Sequence, residues 1–587
     1  RDNRIVFRYR HVREPDGPDD DRRRLAVAFY RLELAGGSRQ AGSPRADAER
    51  GTLFLPYGSQ LAYVVRLEPQ TELRVKRLAF RGSSGHLDVW LETDTAEPRR
   101  MARLEKGGQG GAVGLPVDEP TPGRLVLRAL AEGTAEREAG VLLEEPELWS
   151  GDPVQQAAAW RAPEPDGPRR PHIVLYLVDT LRSDRLGVYG YERPLTPRLD
   201  EFAREAVVFE RAVGQSSWTR ASIASIFTGL WPHTHGAIGR RDRLSEEAVT
   251  LAEALAAGGY HTVAFATNPN IDERFGFSQG FEEYYHVRRG TDSPRVTARV
   301  LQWLDQWEDD GRPLFLFVHT VDPHDPYTPP PEFMERFAPE SKEYLEERAA
   351  QRRRDRWSTT EENLWHMNRL YDAEVAFNDA SFGVFLDELR ERALYDDSIL
   401  AFVSDHGEEF QEHGNFTHGK NLFAETLDFP FVIRFPGQRE GRRVATPVQH
   451  TDLMPTLLDY LGLPIPDAVE GRSLAAVADP RFEEPAGSGA RIFSHLELDG
   501  SLILSVVDGD WKMIEWHARR GPHRALFNLR EDPGETVNLA DRYPIRTAVM
   551  ARMLTERLEG GGARLRREEA ELDEELERSL KALGYLQ

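Results

Sequence analysis

The stretch "HIVLYLVDT" (172–180) is a nearly continuous apolar run that ends in an aspartate and a threonine. Such a run is typical of a strand that is buried on both faces of a sheet. Similar runs follow, separated by helical patterns such as "TPRLDEFAREAVVF" (196–209): "HTVAFAT" (261–267), "PLFLFVHT" (313–320), "SILAFVSD" (398–405) and "FPFVIRF" (429–435). Strands that alternate with helices predict an α/β domain with a mostly parallel sheet flanked by helices.

The sequence pattern changes on both sides of this domain, which we place at 172–489. Residues 1–160 contain apolar and alternating stretches such as "GHLDVWLETD" (85–94), which predict an accessory β-sandwich. A spacer role and a carbohydrate-binding role are both open for it. A Pro- and charge-rich linker, "RAPEPDGPRRP" (161–171), follows. Residues 490–545 predict a small antiparallel sheet, and 546–587 a charged helical tail.

The composition limits the classes of function. The 587 residues carry a formal net charge of −23, which argues against a nucleic-acid partner. The absence of cysteine excludes disulfides and thiolate metal sites. No apolar run approaches about 18 residues, so we expect no transmembrane segment in this chain. These features make no prediction of the oligomeric state.

Three of the buried runs end in side chains that can bind metals. The ligands of open α/β sheets lie beyond the carboxyl ends of the strands, so these endings are expected at one edge of the sheet. The pattern predicts a metal site there. Its candidate residues are Asp179 after the first run, His319, Asp322 and His324 at the third, and Asp405 and His406 at the fourth.

The stretch "SSWTRASIASIFTG" (216–229) is the candidate source of a nucleophile. It reads as a loop that turns into a helix, with Thr219 near the helix N-terminus, where exposed N–H groups favour anions. A threonine hydroxyl needs a base or a metal to become nucleophilic. A plain helix-capping role is the alternative, and these residues alone leave both open.

Eleven segments resemble, in the family's order, the sulfatase branch of the alkaline phosphatase superfamily. They are "VDTLRSDRLGVYGY" (178–191), "TPRLDEFA" (196–203), "SIFTGLWPHTHG" (225–236), "GFSQGFEEY" (276–284), "VDPHDPY" (321–327), "YDAEVAFND" (371–379), "SDHGEEFQEHG" (404–414), "THGKNLFAE" (417–425), "TDLMPTLLDYLG" (451–462), "GRSL" (471–474) and "LFNLREDPGETVNL" (526–539). The resemblance implies an alkaline-phosphatase-like fold and a metal-dependent ester hydrolase.

The resemblance also implies a nucleophile ten residues before Gly229, which is Thr219. In sulfatases this residue is a cysteine or serine that is converted to formylglycine. Because position 219 is a threonine, no formylglycine is expected here. A competing alignment takes Ser216 with Arg220. With threonine at this position, the chain resembles those relatives of the sulfatases that act on phosphate esters. We therefore expect hydrolysis of a phosphate diester or monoester through a covalent Thr-phosphate. The alternatives are a sulfatase and an envelope phosphoryl-headgroup transferase.

The same resemblance assigns the remaining roles. It implies one divalent metal, Zn²⁺ before Mn²⁺ or Ca²⁺, with the ligands Asp179, Thr219, Asp405 and His406. It implies catalytic or leaving-group contacts by His324, His418 and Lys420, and substrate contacts by Asn268, Asn270, His324 and Lys420. A second metal at Asp322 and His324 is an alternative. The substrate is expected to be a small-molecule, lipid or glycan ester, and the protein to be exported.

Overall fold

The computed structural model describes residues 45–47, 52–69, 71–82, 85–105, 111–132, 139–150, 170–287, 291–350, 360–479, 491–519, 521–560 and 564–582. The chain divides into two compact units. One comprises Arg1–Ala159 with Asn538–Met553, and the other comprises Trp160–Val537 with Leu554–Gln587. Most of the predicted linker (161–171) lies outside the described residues.

The first unit is a β-sandwich, as predicted. Its sheets have the orders β1-β2-β9-β4-β7 and β3-β8-β5-β6, and every paired strand is antiparallel. Fully buried side chains from both sheets, such as Leu55, Leu87 and Leu125, form its core. The strands are β1 Arg45–Asp47, β2 Thr52–Pro56, β3 Gln60–Leu67, β4 Thr71–Arg81, β5 Gly85–Glu92, β6 Arg99–Glu105, β7 Gly111–Gly114, β8 Thr121–Ala131 and β9 Gly140–Ser150.

The second unit is built on an eight-stranded sheet with the order β15-β14-β16-β10-β17-β20-β11-β21. The pairs among its first five strands are parallel, and β20 runs antiparallel to both neighbours. The strands of this unit are β10 His172–Val178, β11 Val207–Phe209, β12 Ala212–Val213, β13 Asp242–Arg243, β14 His261–Ala266, β15 Glu283–His286, β16 Leu314–Thr320, β17 Ser398–Ser404, β18 Glu409–Phe410, β19 Phe416–Thr417, β20 Phe431–Arg434, β21 Arg442–Val444, β22 Val448–Gln449, β23 Ile492–Leu498, β24 Ser501–Asp508, β25 Trp511–Ala518, β26 Gly521–Asn528 and β27 Glu568–Glu569.

Helices cover both faces of this sheet. Along β10, Ile173 and Leu175 enter one apolar core while Val174 and Tyr176 enter the other, which explains the unbroken apolar run. The helices are α1 Pro197–Ala203, α2 Thr219–Thr228, α3 Pro232–His235, α4 Leu251–Ala257, α5 Ser293–Gln306, α6 Pro331–Phe337, α7 Lys342–Ala350, α8 Glu361–Glu391, α9 Ala424–Leu427, α10 Leu453–Tyr460, α11 Pro544–Gly560 and α12 Glu574–Ala582. No helix in the described part of the chain is long and apolar enough to cross a membrane.

The small antiparallel sheet predicted for 490–545 is present as β23-β24-β25-β26. It does not form a compact unit of its own, because Leu496, Ile503 and Ile514 pack in the same core as α2 and the main sheet. The segment Asn538–Met553 belongs to the sandwich unit, where Asp94 accepts hydrogen bonds from the backbone at the start of α11. The sequence pattern gave no sign of this return to the first unit.

Candidate active site

Two neighbouring strands place the acidic residues of the candidate site side by side. Strands β10 and β17 are parallel, with Val178 opposite Ser404, so Asp179 and Asp405 follow at the same edge. His406 joins them, and one ligand atom from each of the three residues lies within 4.8 Å of the others. All three are fully buried. Within the described residues, this is the single cluster of three such groups.

This cluster suits a divalent cation. Asp179 Oδ1 and Asp405 Oδ2 are buried and accept no hydrogen bond. Burial and the neighbouring Asp405 raise the pKa of Asp179 well above its usual value, and burial also raises the pKa of Asp405. His406 Nδ1 donates to Gly407 O at 3.0 Å, which leaves the lone pair of Nε2 for a ligand. A bound cation would compensate both carboxylates.

A strained turn after β10 connects the two aspartates. Thr180 has φ 55°, a left-handed conformation that is uncommon for a β-branched residue. Its N–H donates to Asp405 Oδ1 at 3.1 Å, and its carbonyl accepts from the Tyr371 hydroxyl at 2.7 Å. The same hydroxyl accepts from the N–H of Arg182 at 3.0 Å. Tyr371 on α8 therefore holds the turn that orients Asp179.

Thr219 is the first residue of α2, and it lies at the cluster. Its Oγ1 is 3.1 Å from His406 Nε2, and the side chain is fully buried. Because the Nδ1–H of His406 is already committed, the threonine hydroxyl is the donor in this pair, and a cation bound at Nε2 would replace this hydrogen bond. Helix α2 is buried along its whole length, which fixes Thr219 rigidly at its N-terminus.

The alternative nucleophile, Ser216, is also buried, and its Oγ has no hydrogen-bond partner. Its carbonyl accepts from Ser222 Oγ at 2.8 Å. Arg220, its partner in the competing alignment, donates to Gly239 O and to Asn270 O and Oδ1, and its guanidinium lies over Phe275. None of these contacts reaches the acidic cluster.

Asn268 belongs to the cluster rather than to its rim. Its Nδ2 donates to Asp179 Oδ2 at 2.6 Å, while its Oδ1 accepts from the N–H of Asn270 at 2.9 Å. Asn270 and Asn268 therefore connect Arg220 to the first aspartate. His319 Nε2 lies 3.6 Å from the same Asp179 oxygen without a hydrogen bond, and burial lowers the pKa of His319 to about 3.

Two further histidines form a row with His406. The ring centroids of His406 and His418 are 4.4 Å apart, and those of His418 and His324 are 5.0 Å apart. His418 Nδ1 lies 3.0 Å from Glu408 Oε1, and the other oxygen of Glu408 accepts from Tyr327. Burial and the neighbouring histidines lower the pKa of His418 well below its usual value.

The remaining predicted residues lie near this group but have other partners. Lys420 Nζ donates to Phe416 O at 2.6 Å, and burial lowers the pKa of Lys420. Asp322 Oδ2 accepts from the N–H and the hydroxyl of Ser293, at 2.7 and 2.6 Å. The second metal at Asp322 and His324, and the substrate contacts of Lys420, stay predictions.

Comparison with known proteins identifies the family. Residues 171–463 match the family model "Sulfatase", and residues 411–561 match "N-sulphoglucosamine sulphohydrolase, C-terminal". The chain belongs to the sulfatase family. Most curated relatives of this sulfatase-family chain are named sulfatases.

Three similar proteins illustrate the range of enzymes that this chain resembles. An arylsulfatase from Clostridium perfringens is 28% identical over 67% of this chain and 95% of its own length. A multifunctional alkaline phosphatase superfamily protein from Trinickia caryophylli is 27% identical over 63% and 91%. The structure of a phosphonate monoester hydrolase from Agrobacterium radiobacter shares the fold with a TM-score of 0.57, at 20% identity over 67% and 96%. The chain is thus a hydrolase of sulfate or phosphate esters.

Several site residues of this sulfatase-family chain had no predicted role. Tyr371 and Glu408 lie inside quoted motifs, but only the fold shows that they support the Asp179 turn and His418. His450 Nε2 donates to Ser404 O at 2.9 Å and supports the end of β17. His319, in contrast, was a candidate metal-site residue, and it lies beside Asp179 because β16 pairs with β10.

Proposed function

We propose that this chain hydrolyses a sulfate ester at a single metal centre formed by Asp179, Thr219, Asp405 and His406, with the Thr219 hydroxyl as nucleophile. The contact of 3.1 Å between Thr219 Oγ1 and His406 Nε2 carries this proposal. It places one hydroxyl beside the carboxylate pair at the start of a buried helix. The names of the relatives favour sulfate over the phosphate ester that the sequence pattern favoured.

The metal completes this centre. A divalent cation on these four residues would lower the pKa of the threonine hydroxyl and balance negative charge on the ester. Oxygen ligands with one imidazole suit Zn²⁺ first and Mn²⁺ next, with Ca²⁺ a weaker alternative. Asn268 holds one oxygen of Asp179 by a hydrogen bond, so the other oxygen, which accepts none, would be available to bind the ion.

The chain's own groups account for the rest of the reaction. Thr219 Oγ attacks the sulfur and gives up its proton, the bond from sulfur to the leaving oxygen breaks, and that oxygen takes up one proton. His418, oriented by Glu408, and the adjacent His324 are the groups placed to accept the threonine proton and pass it to the leaving oxygen. Water then cleaves the ester on Thr219 and restores the hydroxyl. Because Thr219 is the first residue of α2, the positive end of the helix dipole lies at the site and favours a bound anion.

A phosphate diester or monoester is the second candidate substrate. Threonine at position 219 favours it, because a threonine side chain cannot become the formylglycine on which sulfatases of this family rely. The same attack would then produce a covalent Thr-phosphate. Either substrate would be a small-molecule, lipid or glycan ester.

One parallel assay tests the proposal. The protein is freed of metal with a chelator, reloaded with Zn²⁺, Mn²⁺ or Ca²⁺, and assayed with p-nitrophenyl sulfate, p-nitrophenyl phosphate and bis-p-nitrophenyl phosphate. We expect turnover that requires the metal, with kcat/KM highest for the sulfate. A highest value for a phosphate ester selects the second candidate. Equal turnover in the metal-free protein contradicts both.

Intact mass and peptide mass spectrometry separate the two nucleophiles. We expect unmodified Ser216 and Thr219 in the active protein. Conversion of Ser216 to formylglycine would place the nucleophile at Ser216 and reject Thr219.

A further inference from the structure

A cavity of about 700 Å³ lies between the loop that follows β10 and the first turns of α8. Its volume falls within the range of ligand pockets in proteins. None of the residues proposed as metal ligands or catalytic groups lines it. A ligand in this cavity would therefore contact none of those groups.

One face of α8 forms a wall of this cavity. Trp365, Asn368, Arg369 and Asp372 line it, and their spacing of three and four residues puts them on one side of the helix. Trp365 is 40% exposed, which is unusual for so large an apolar side chain. The Arg369 guanidinium lies 5.1 Å from the centre of the Trp365 ring. An aromatic surface and a cation thus stand together at the cavity.

The other charges of the lining are mostly compensated. The Asp372 carboxylate is 2% exposed and accepts from Arg185, Tyr191 and Arg193. Asp184 forms an ion pair with Arg182. In contrast, Arg369 has no carboxylate within ion-pair distance in the described part of the chain. The nearby Glu192 is exposed and forms no ion pair with it.

We propose that this cavity binds an acidic saccharide unit. A guanidinium can pair with two oxygens of a sulfate or carboxylate group at once. We therefore assign the binding of the anionic substituent to Arg369. The exposed indole of Trp365 suits the apolar face of a sugar ring. Asn368 and Glu192 offer hydrogen-bonding groups to the ring hydroxyls. Arg369 and Trp365 are the determinants of affinity in this assignment.

Calorimetric titration with a chondroitin 6-sulfate tetrasaccharide tests the proposal in the full-length Thr219→Ala protein, where cleavage is blocked. We expect Arg369→Gln and Trp365→Ala each to weaken binding about tenfold or more. Arg299→Gln is the matched control, because Arg299 is an exposed arginine on α5 that does not line the cavity. It should leave the affinity unchanged. Thermal unfolding of each variant confirms that it is folded.

Three outcomes would overturn the proposal: no binding of the sulfated tetrasaccharide, equal binding by neutral maltotetraose, or unchanged affinity in Arg369→Gln. In the background that retains Thr219, Arg369→Gln should turn over small p-nitrophenyl esters as the unsubstituted protein does. The binding readout needs no turnover, so it decides this proposal even where the proposed ester hydrolysis fails.

Discussion

Thr219 Oγ1 lies 3.1 Å from His406 Nε2, although 187 residues separate them in the sequence. The N-terminus of α2 delivers the hydroxyl, and the end of β17 delivers the imidazole. This contact joins a candidate nucleophile to a cluster of buried carboxylates.

Replacement of Thr219 by alanine should lower kcat/KM by about three orders of magnitude or more, because it removes the attacking oxygen. Thr219→Ser keeps a hydroxyl and should retain measurable turnover. Thr228→Ala is the control: its hydroxyl lies on the same helix but bonds to Ala224 O. Steady-state kinetics on the preferred p-nitrophenyl ester measure kcat/KM for each variant. Near-normal turnover by the alanine variant would exclude Thr219 as the nucleophile.

Tyr371→Phe should weaken binding of the activating metal about 10- to 100-fold, because the turn that carries Asp179 loses both bonds to the hydroxyl. Tyr189→Phe is a close match. Its hydroxyl also accepts from a backbone N–H and donates to a backbone carbonyl, both of Phe431, away from the metal ligands. Competition titration with a metal-binding dye measures the affinity. The same loss in both variants would indicate a general effect on folding.

Asp379 should make stability depend on pH. Burial raises the pKa of its carboxyl to about 7, although the hydrogen bonds from the N–H groups of Arg198 and Leu199 lower it. The folded state therefore binds a proton more tightly than the unfolded state between about pH 4 and 7. The free energy of unfolding should fall as the pH rises through this window.

Asp379→Asn cannot titrate, so its unfolding free energy should fall less steeply with pH over the same range. Urea unfolding at pH 4.5, 5.5, 6.5 and 7.5 measures both slopes. Identical slopes in the two proteins would show that Asp379 does not contribute.

The buried ion pair between Lys512 and Glu535 should matter for stability. Lys512 Nζ lies 2.8 Å from Glu535 Oε1, and both side chains are almost completely buried. Lys512→Met leaves a buried carboxylate without its cation and should cost about 3–5 kcal/mol. The double variant Lys512→Met/Glu535→Gln should recover part of this loss.

The exposed pair of Arg530 and Asp510 gives the comparison for Lys512. Arg530→Met should cost at most about 1 kcal/mol, because solvent screens that pair. Urea unfolding at neutral pH measures all three variants. A cost for Lys512→Met no larger than that for Arg530→Met would contradict the prediction.

Much of the fold could be predicted because burial leaves a direct record in the sequence. The run at 172–178 is apolar at every position, since its side chains enter two different cores. The sandwich strands and the C-terminal hairpins carry similar patterns. The return of Asn538–Met553 to the first unit left no such record, because an amphipathic helix does not specify which apolar surface it meets.

The candidate site was predicted in part, for the same reason. Asp179, Asp405 and His406 each end a recognisable buried strand, and parallel strands align their carboxyl ends. The sequence by itself therefore determined the strands, the residues that terminate them and the helix that begins at Thr219.

Only the tertiary structure decided which side chains support these residues. It brought Asn268 and His319 to Asp179, Tyr371 to the strained Thr180, and Glu408 to His418. It also placed Trp365 and Arg369 on a cavity wall. These contacts depend on strand order and on the packing of α8, which are set by long-range burial. Local pattern encodes where a strand ends, but it does not encode which distant residue will be packed beside that end.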